Sequence, residues 1–173
     1  MKKIMILNGA AKKCGNTAEL IRAFSEGAKE AGHEVKEFYL QDMNIHGCLD
    51  CQGCKELEPG MESPCVQRDD MDEIYRTFAE TDVIVFASPI YWWSVSGPLK
   101  TTTDRLYGLF RKSGSSQHNR KESALLLTAG GPDYSQPLAW YQGFERYLGW
   151  KNIGEVCGIG KLEEAKALGA GIA

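Results

Sequence analysis

Cys48-x-x-Cys51-x-x-Cys54, followed after ten intervening residues by Cys65, is the densest run of reactive side chains in the sequence. Three thiols at two-residue gaps can wrap one cubane cluster, with a fourth ligand arriving from farther along. Zinc is a second reading, although structural zinc sites usually pair two C-x-x-C units. Free or redox-active thiols are the third. Two other stretches carry chemistry of a different kind. Gly9-Ala10-Ala11-Lys12-Lys13-Cys14-Gly15-Asn16-Thr17 lies between an apolar run and an amphipathic one. Backbone N–H groups at a helix start, reinforced by the helix dipole, favour an anion there. Five residues separate the glycines and Asn16 stands where a P-loop needs lysine, and the dinucleotide fingerprint G-x-G-x-x-G is absent. The loop therefore reads as a phosphate cradle of another type. Ser88-Pro89-Ile90-Tyr91-Trp92-Trp93-Ser94-Val95-Ser96-Gly97 sets three aromatics together. It suits a planar, partly apolar ligand, with backbone N–H groups of residues 91–94 on its polar edge.

These loops need elements to position them. Lys3–Asn8, Asp82–Ala87 and Ser123–Ala129 are short apolar runs that predict buried parallel strands, and His33–Leu40 alternates like a strand nearer a sheet edge. A weaker strand is expected over 151–158. Helices are expected over 17–31, with Asn16 as N-cap, Glu19 in the capping-box position and Gly32 as terminator. Others start at Asp69-Asp70, at Pro98 and near Pro137, with a short last helix over 161–171. Residues 41–68 lack periodicity, and so long a connection in a domain is usually functional. Ser88–Gly97 and 113–121 read as loops, and His33 and His118 as solvent-facing. The alternation of strand and helix requires a parallel sheet with right-handed crossovers. It matches an α/β, flavodoxin-like doubly wound sheet of five strands in the order 2-1-3-4-5, which presents its ligand site beyond the carboxyl ends of the strands.

The 173 residues fit one domain, residues 1–173, with a cysteine-rich insertion at about 41–68. A net charge of −3 leaves no footprint for nucleic acid or an anionic membrane surface. No run is long enough to span a membrane. The basic head Lys2-Lys3 precedes only four apolar residues, too few for a secretory signal, so a cytoplasmic protein is expected. An even set of six cysteines, four of them in one segment, does not read as the disulfide framework of a small secreted domain.

The pattern G-x-x-K-K-x-G-N-T after the first strand, with D-x-I-V-F-A-S-P-I-Y at the third, resembles the flavodoxin-fold NAD(P)H-dependent FMN reductases. The C-x-x-C-x-x-C segment, Asp69-Asp70-Met71 and Gly97-Pro98-Leu99-Lys100…Asp104-Arg105 are most similar to the iron–sulfur flavoprotein and multimeric-flavodoxin-like branch. The resemblance implies an FMN-dependent oxidoreductase that takes electrons from NAD(P)H and passes them to a small-molecule acceptor or redox protein. An iron–sulfur flavoprotein relaying single electrons and a non-catalytic redox-sensing module are the alternatives. By position, Lys12, Lys13, Gly15, Asn16 and Thr17 would hold the FMN phosphate, with Ala10 where many relatives carry serine. Pro89, Ile90, Tyr91, Trp92, Trp93 and Ser94 would hold the ring, and Ala129, Gly130 and Gly131 would approach it. Cys48, Cys51, Cys54 and Cys65 would be the ligands of any 4Fe–4S cluster. No side chain is expected to be catalytic, because the flavin carries the chemistry. Exposed aromatics imply a homodimer or homotetramer.

Overall fold

The leucine-, isoleucine- and valine-rich runs can satisfy their backbone groups only by pairing, and in the computed structural model they pair as one parallel sheet. The structure describes residues 1–57, 63–110 and 121–173. His118, residues 113–120 of the expected loop and residues 58–62 of the cysteine-rich insertion lie outside the described residues. The strands are β1 (Lys3–Asn8), β2 (Glu34–Tyr39), β3 (Val83–Tyr91), β4 (Ser94–Val95), β5 (Glu122–Thr128) and β6 (Lys151–Cys157). The parallel path runs β2-β1-β3-β5-β6, which is the expected doubly wound order, and β4 pairs back on β3 as a sixth, antiparallel strand. Its presence corrects the reading of 88–97 as a plain loop. β3 stays extended through Pro89, past its last pair with β1 (Asn8–Ala87), and turns at Tyr91.

Among the described residues, six α-helices pack on the sheet: α1 (Asn16–Glu30), α2 (Met71–Glu80), α3 (Gly97–Arg105), α4 (Tyr107–Phe110), α5 (Ser135–Leu148) and α6 (Leu162–Ala170). Met5, Leu7, Ile84, Phe86, Leu125 and Leu127 face α2, α3 and α5, while Ile4, Ile6, Val83, Val85, Ala124 and Leu126 face α1 and α6. Each central strand therefore buries both faces, as its unbroken apolar sequence requires.

Two expected caps differ. Gly15, not Asn16, holds the cap position of α1, and no side chain caps that helix. At α2 the carboxylate that accepts from Met71 N is Asp69, at 3.1 Å, because Asp70 turns to accept from Asn44 N. Gly32 does terminate the α1 turn, with φ +85°. His33 is half-buried rather than solvent-facing. Its Nδ1 accepts from Lys2 N (3.1 Å) and its Nε2–H donates to Ile172 O (2.9 Å), so it ties Lys2 to Ile172.

α1 and α6 cross at glycines. A Cβ on Gly169 would stand 2.1 Å from Phe24 O, and one on Gly27 would stand 2.1 Å from Lys166 O. Gly169→Ala must push the helices apart. It is expected to cost about 2 kcal/mol, read as a lowered denaturation midpoint at unchanged m-value.

Candidate functional site

Gly9 is where β1 hands the chain to the first loop. Its N–H donates to Ala87 O at 2.8 Å, and a Cβ there would meet Ser96 Oγ at 2.5 Å and Leu99 Cβ at 2.8 Å. Only glycine lets the loop lie this close to β3 and to the start of α3. Asn8 Oδ1 then accepts from Ala10 N at 2.8 Å and fixes the turn. The loop delivers Ala10, Lys12, Cys14, Gly15, Asn16 and Thr17 to a hollow of about 330 Å³, closed on the far side by Pro89, Tyr91 and Thr128. Among the described residues, one cation and no carboxylate line it. The first N–H groups of α1 receive no side-chain cap, so an incoming anion would be the acceptor they lack.

Lys13 lies elsewhere. It pairs with Asp42 and sits over the Tyr39 ring, 5.3 Å from its centroid, so it braces the loop against the chain leaving β2.

A second hollow, about 400 Å³, flanks the same strand ends and is lined by Ile90, Trp92, Trp93, Ala129, Gly130, Gly131, Pro132 and Asp133. Ser94 pairs with Tyr91 across a two-residue turn. Both turn residues are left-handed, Trp92 at φ 49° and Trp93 at φ 58°. Such hairpin turns normally use Asn-Gly, and left-handed backbone costs other residues about 1–2 kcal/mol each. Two tryptophans held there, with Trp92 89% exposed, are costly for folding alone and point to a surface kept for a ligand. Trp92→Asn with Trp93→Gly is accordingly expected to stabilise the cofactor-free protein by about 1–2 kcal/mol in thermal melts while weakening flavin binding.

Among the described residues, no group of three His, Cys, Asp or Glu side chains is gathered as for a metal ion. Cys48 and Cys51 are exposed, and Cys54 and Cys65 are half-buried. The segment is nonetheless anchored. A Cβ on Gly53 would meet Val66 Cγ1 at 2.7 Å and Cys51 Sγ at 3.5 Å, so the chain beside Cys65 already lies against the 51–53 turn. Cys14 is exposed in the anion loop. Cys157 is half-buried on the core, and burial pushes its thiol up to about 11.

The anchor is a pair whose partnership is not visible in the sequence. Arg105 Nη1 donates to Asp69 Oδ2 (2.8 Å) and to His46 O (2.8 Å), and Arg105 Nη2 donates to Asp69 Oδ1 (3.2 Å). His46 N also donates to Asp69 Oδ2 at 3.0 Å. Burial alone would raise the Asp69 carboxyl. The hydrogen bonds from Arg105, His46 N and Met71 N outweigh it and hold the carboxyl below its ordinary value. His46 contributes its backbone N–H and C=O, and its ring Nδ1 stands 3.5 Å from Asp69 Oδ2. Asp104 points away and pairs with Lys100 on the surface.

The hollows match the donor set of FMN: an anion pocket at an uncapped helix start, beside an apolar pocket walled by aromatic and glycine backbone. Thr128, which the sequence does not single out, is buried and lines the first of them. Comparison with known proteins agrees. The chain is 37% identical over 106 residues to an iron–sulfur flavoprotein of Archaeoglobus fulgidus, covering 61% of this chain and 46% of that one. It is 28% identical over 180 residues to a Bacillus subtilis protein provisionally named an NAD(P)H-dependent FMN-containing oxidoreductase, covering 97% and 93% of the two chains. The chain spans about half the length of the first curated relatives it matches. Its fold superposes on an NAD(P)H:quinone oxidoreductase from Methanothermobacter marburgensis with a TM-score of 0.70 at 20% identity, covering 98% and 96% of the chains. Residues 2–139 match the model of one family throughout, and the chain belongs to it: the NADPH-dependent FMN reductases.

Proposed function

We propose that residues 1–173 act as a single FMN-binding unit, with the cysteine-rich insertion at about 41–68, and that it passes electrons from NAD(P)H to a small-molecule acceptor. One observation carries this reading: a pocket at the uncapped start of α1, with no carboxylate among its described lining residues, abuts an aromatic hairpin at the same sheet edge. FMN, when bound, supplies the hydride and electron chemistry. The protein's part is to bind and orient. Asn16, Thr17, Lys12 and the α1 N–H groups hold the phosphate. Pro89–Ser94 and Ala129–Gly131 wall the ring and limit water at it. The exposed Tyr91, Trp92 and Trp93 also support pairing of copies as a homodimer or homotetramer. Among the described residues, no helix is long and apolar enough to cross a membrane.

A second reading, an iron–sulfur flavoprotein, is favoured by the curated relatives and by the packing of Val66 on the 51–53 turn. As placed, the four thiols do not form one ligand set, and no step is derived through a cluster. The test for both is anaerobic purification with a visible spectrum and iron and sulfide analysis. A flavin spectrum, native or restored by added FMN, is expected. Colourless protein that FMN cannot reconstitute would contradict the main reading, and stoichiometric iron with acid-labile sulfide would establish the second.

A further inference from the structure

Thr17 and Thr128 meet hydroxyl to hydroxyl at 2.6 Å across the first hollow, although 111 residues separate them in the chain. Thr17 is the second residue of α1 and Thr128 is the last of β5. Both are buried, at 5% and 4% exposure, and both line the pocket. A hydroxyl has one proton to give and can accept twice. A phosphate only accepts. If Thr17 gave its proton to Thr128, its lone pairs would face the phosphate oxygens and repel them. If Thr128 is the donor, the Thr17 proton is left for the anion, and the two bonds polarise each other in the same sense.

We infer that Thr128 is a positioning residue for the anion site: its hydroxyl donates to Thr17 Oγ1 and so directs the Thr17 proton into the phosphate pocket. The inference rests on the FMN reading above. It extends that site to the carboxyl end of β5, whose last residue lines the pocket beside Thr17.

Dissociation constants for FMN and for riboflavin, which lacks the phosphate, test it by fluorescence titration of the cofactor-free protein. Thr128→Val keeps the shape and removes the donor. It is expected to raise the FMN constant about tenfold while riboflavin changes by less than about twofold. Thr128→Ser should restore wild-type FMN affinity. Thr17→Val should match Thr128→Val, and the double variant should lose little more than either alone. If Thr128→Val fails to fold, Thr128→Ala carries the same expectation. An unchanged FMN constant, or a parallel loss for both flavins, would overturn the relay. Wild-type protein that binds neither flavin, or binds both equally, would overturn the cofactor reading and the relay with it.

Discussion

Asn16→Asp is expected to weaken FMN binding more than about a hundredfold while leaving the cofactor-free protein at least as stable as the parent. The substitution is nearly isosteric. Asn16 is exposed at the first position of α1, where a carboxylate interacts favourably with the helix dipole. The gain reverses when an anion must enter the same pocket. Two unit charges about 4 Å apart repel by about 4 kcal/mol at an effective dielectric of about 20, and the phosphate carries more than one. About 2.7 kcal/mol already corresponds to a hundredfold. Riboflavin affinity should hold, because the ring pocket is untouched. A thermal melt and paired titrations check both halves, and Asn16→Asp binding FMN as tightly as wild type would move the phosphate away from this loop.

The features behind that prediction were readable because they are local. The β1 apolar run, the glycine-bounded loop and the α1 amphipathic stripe lie within 28 consecutive positions, Lys3–Glu30. The unbroken runs of β3 and β5 could belong only to central strands, so the sheet order followed from connection rules. Features that depend on distant pairing were not readable. Arg105 and Asp69 are 36 residues apart, and no spacing in the sequence pairs them. Thr128 ends an ordinary strand, and His33 gives no hint that Ile172 O is its partner. The hairpin was hidden for another reason. Trp92 and Trp93 occupy left-handed positions that turn chemistry reserves for Asn and Gly, so local rules read a loop where β3 folds back on β4.

Arg105→Met should cost about 3–5 kcal/mol and release the cysteine segment. The Asp69 side chain is fully buried, and Arg105 supplies two of its hydrogen bonds and an ion pair at 2.8 Å. Removing the guanidinium leaves a buried carboxylate that keeps the hydrogen bonds from His46 N and Met71 N but loses its nearest cation, and His46 O loses this donor as well. The pH dependence identifies the cause. In the wild type, Asp69 titrates below its ordinary value. Its contribution is therefore present above the unfolded carboxyl range and is lost as pH falls through the folded value. In the variant, desolvation dominates and the folded carboxyl titrates higher, so protonation relieves the buried charge. The stability gap between the two proteins should therefore narrow on acidification from pH about 7 to about 4. Denaturant melts across that range measure it, and a gap independent of pH would assign the loss to packing. Faster alkylation of Cys54 and Cys65, which are half-buried in the wild type, would report the freed segment.

The most direct measurement on the account as a whole is anaerobic mixing of FMN-loaded protein with NADPH and with NADH, followed by flavin absorbance. Bleaching of the flavin band by at least one nicotinamide, and its return on adding a quinone or another small acceptor, is the predicted result. FMN that stays bound and oxidised in the presence of both would contradict an NAD(P)H-dependent oxidoreductase.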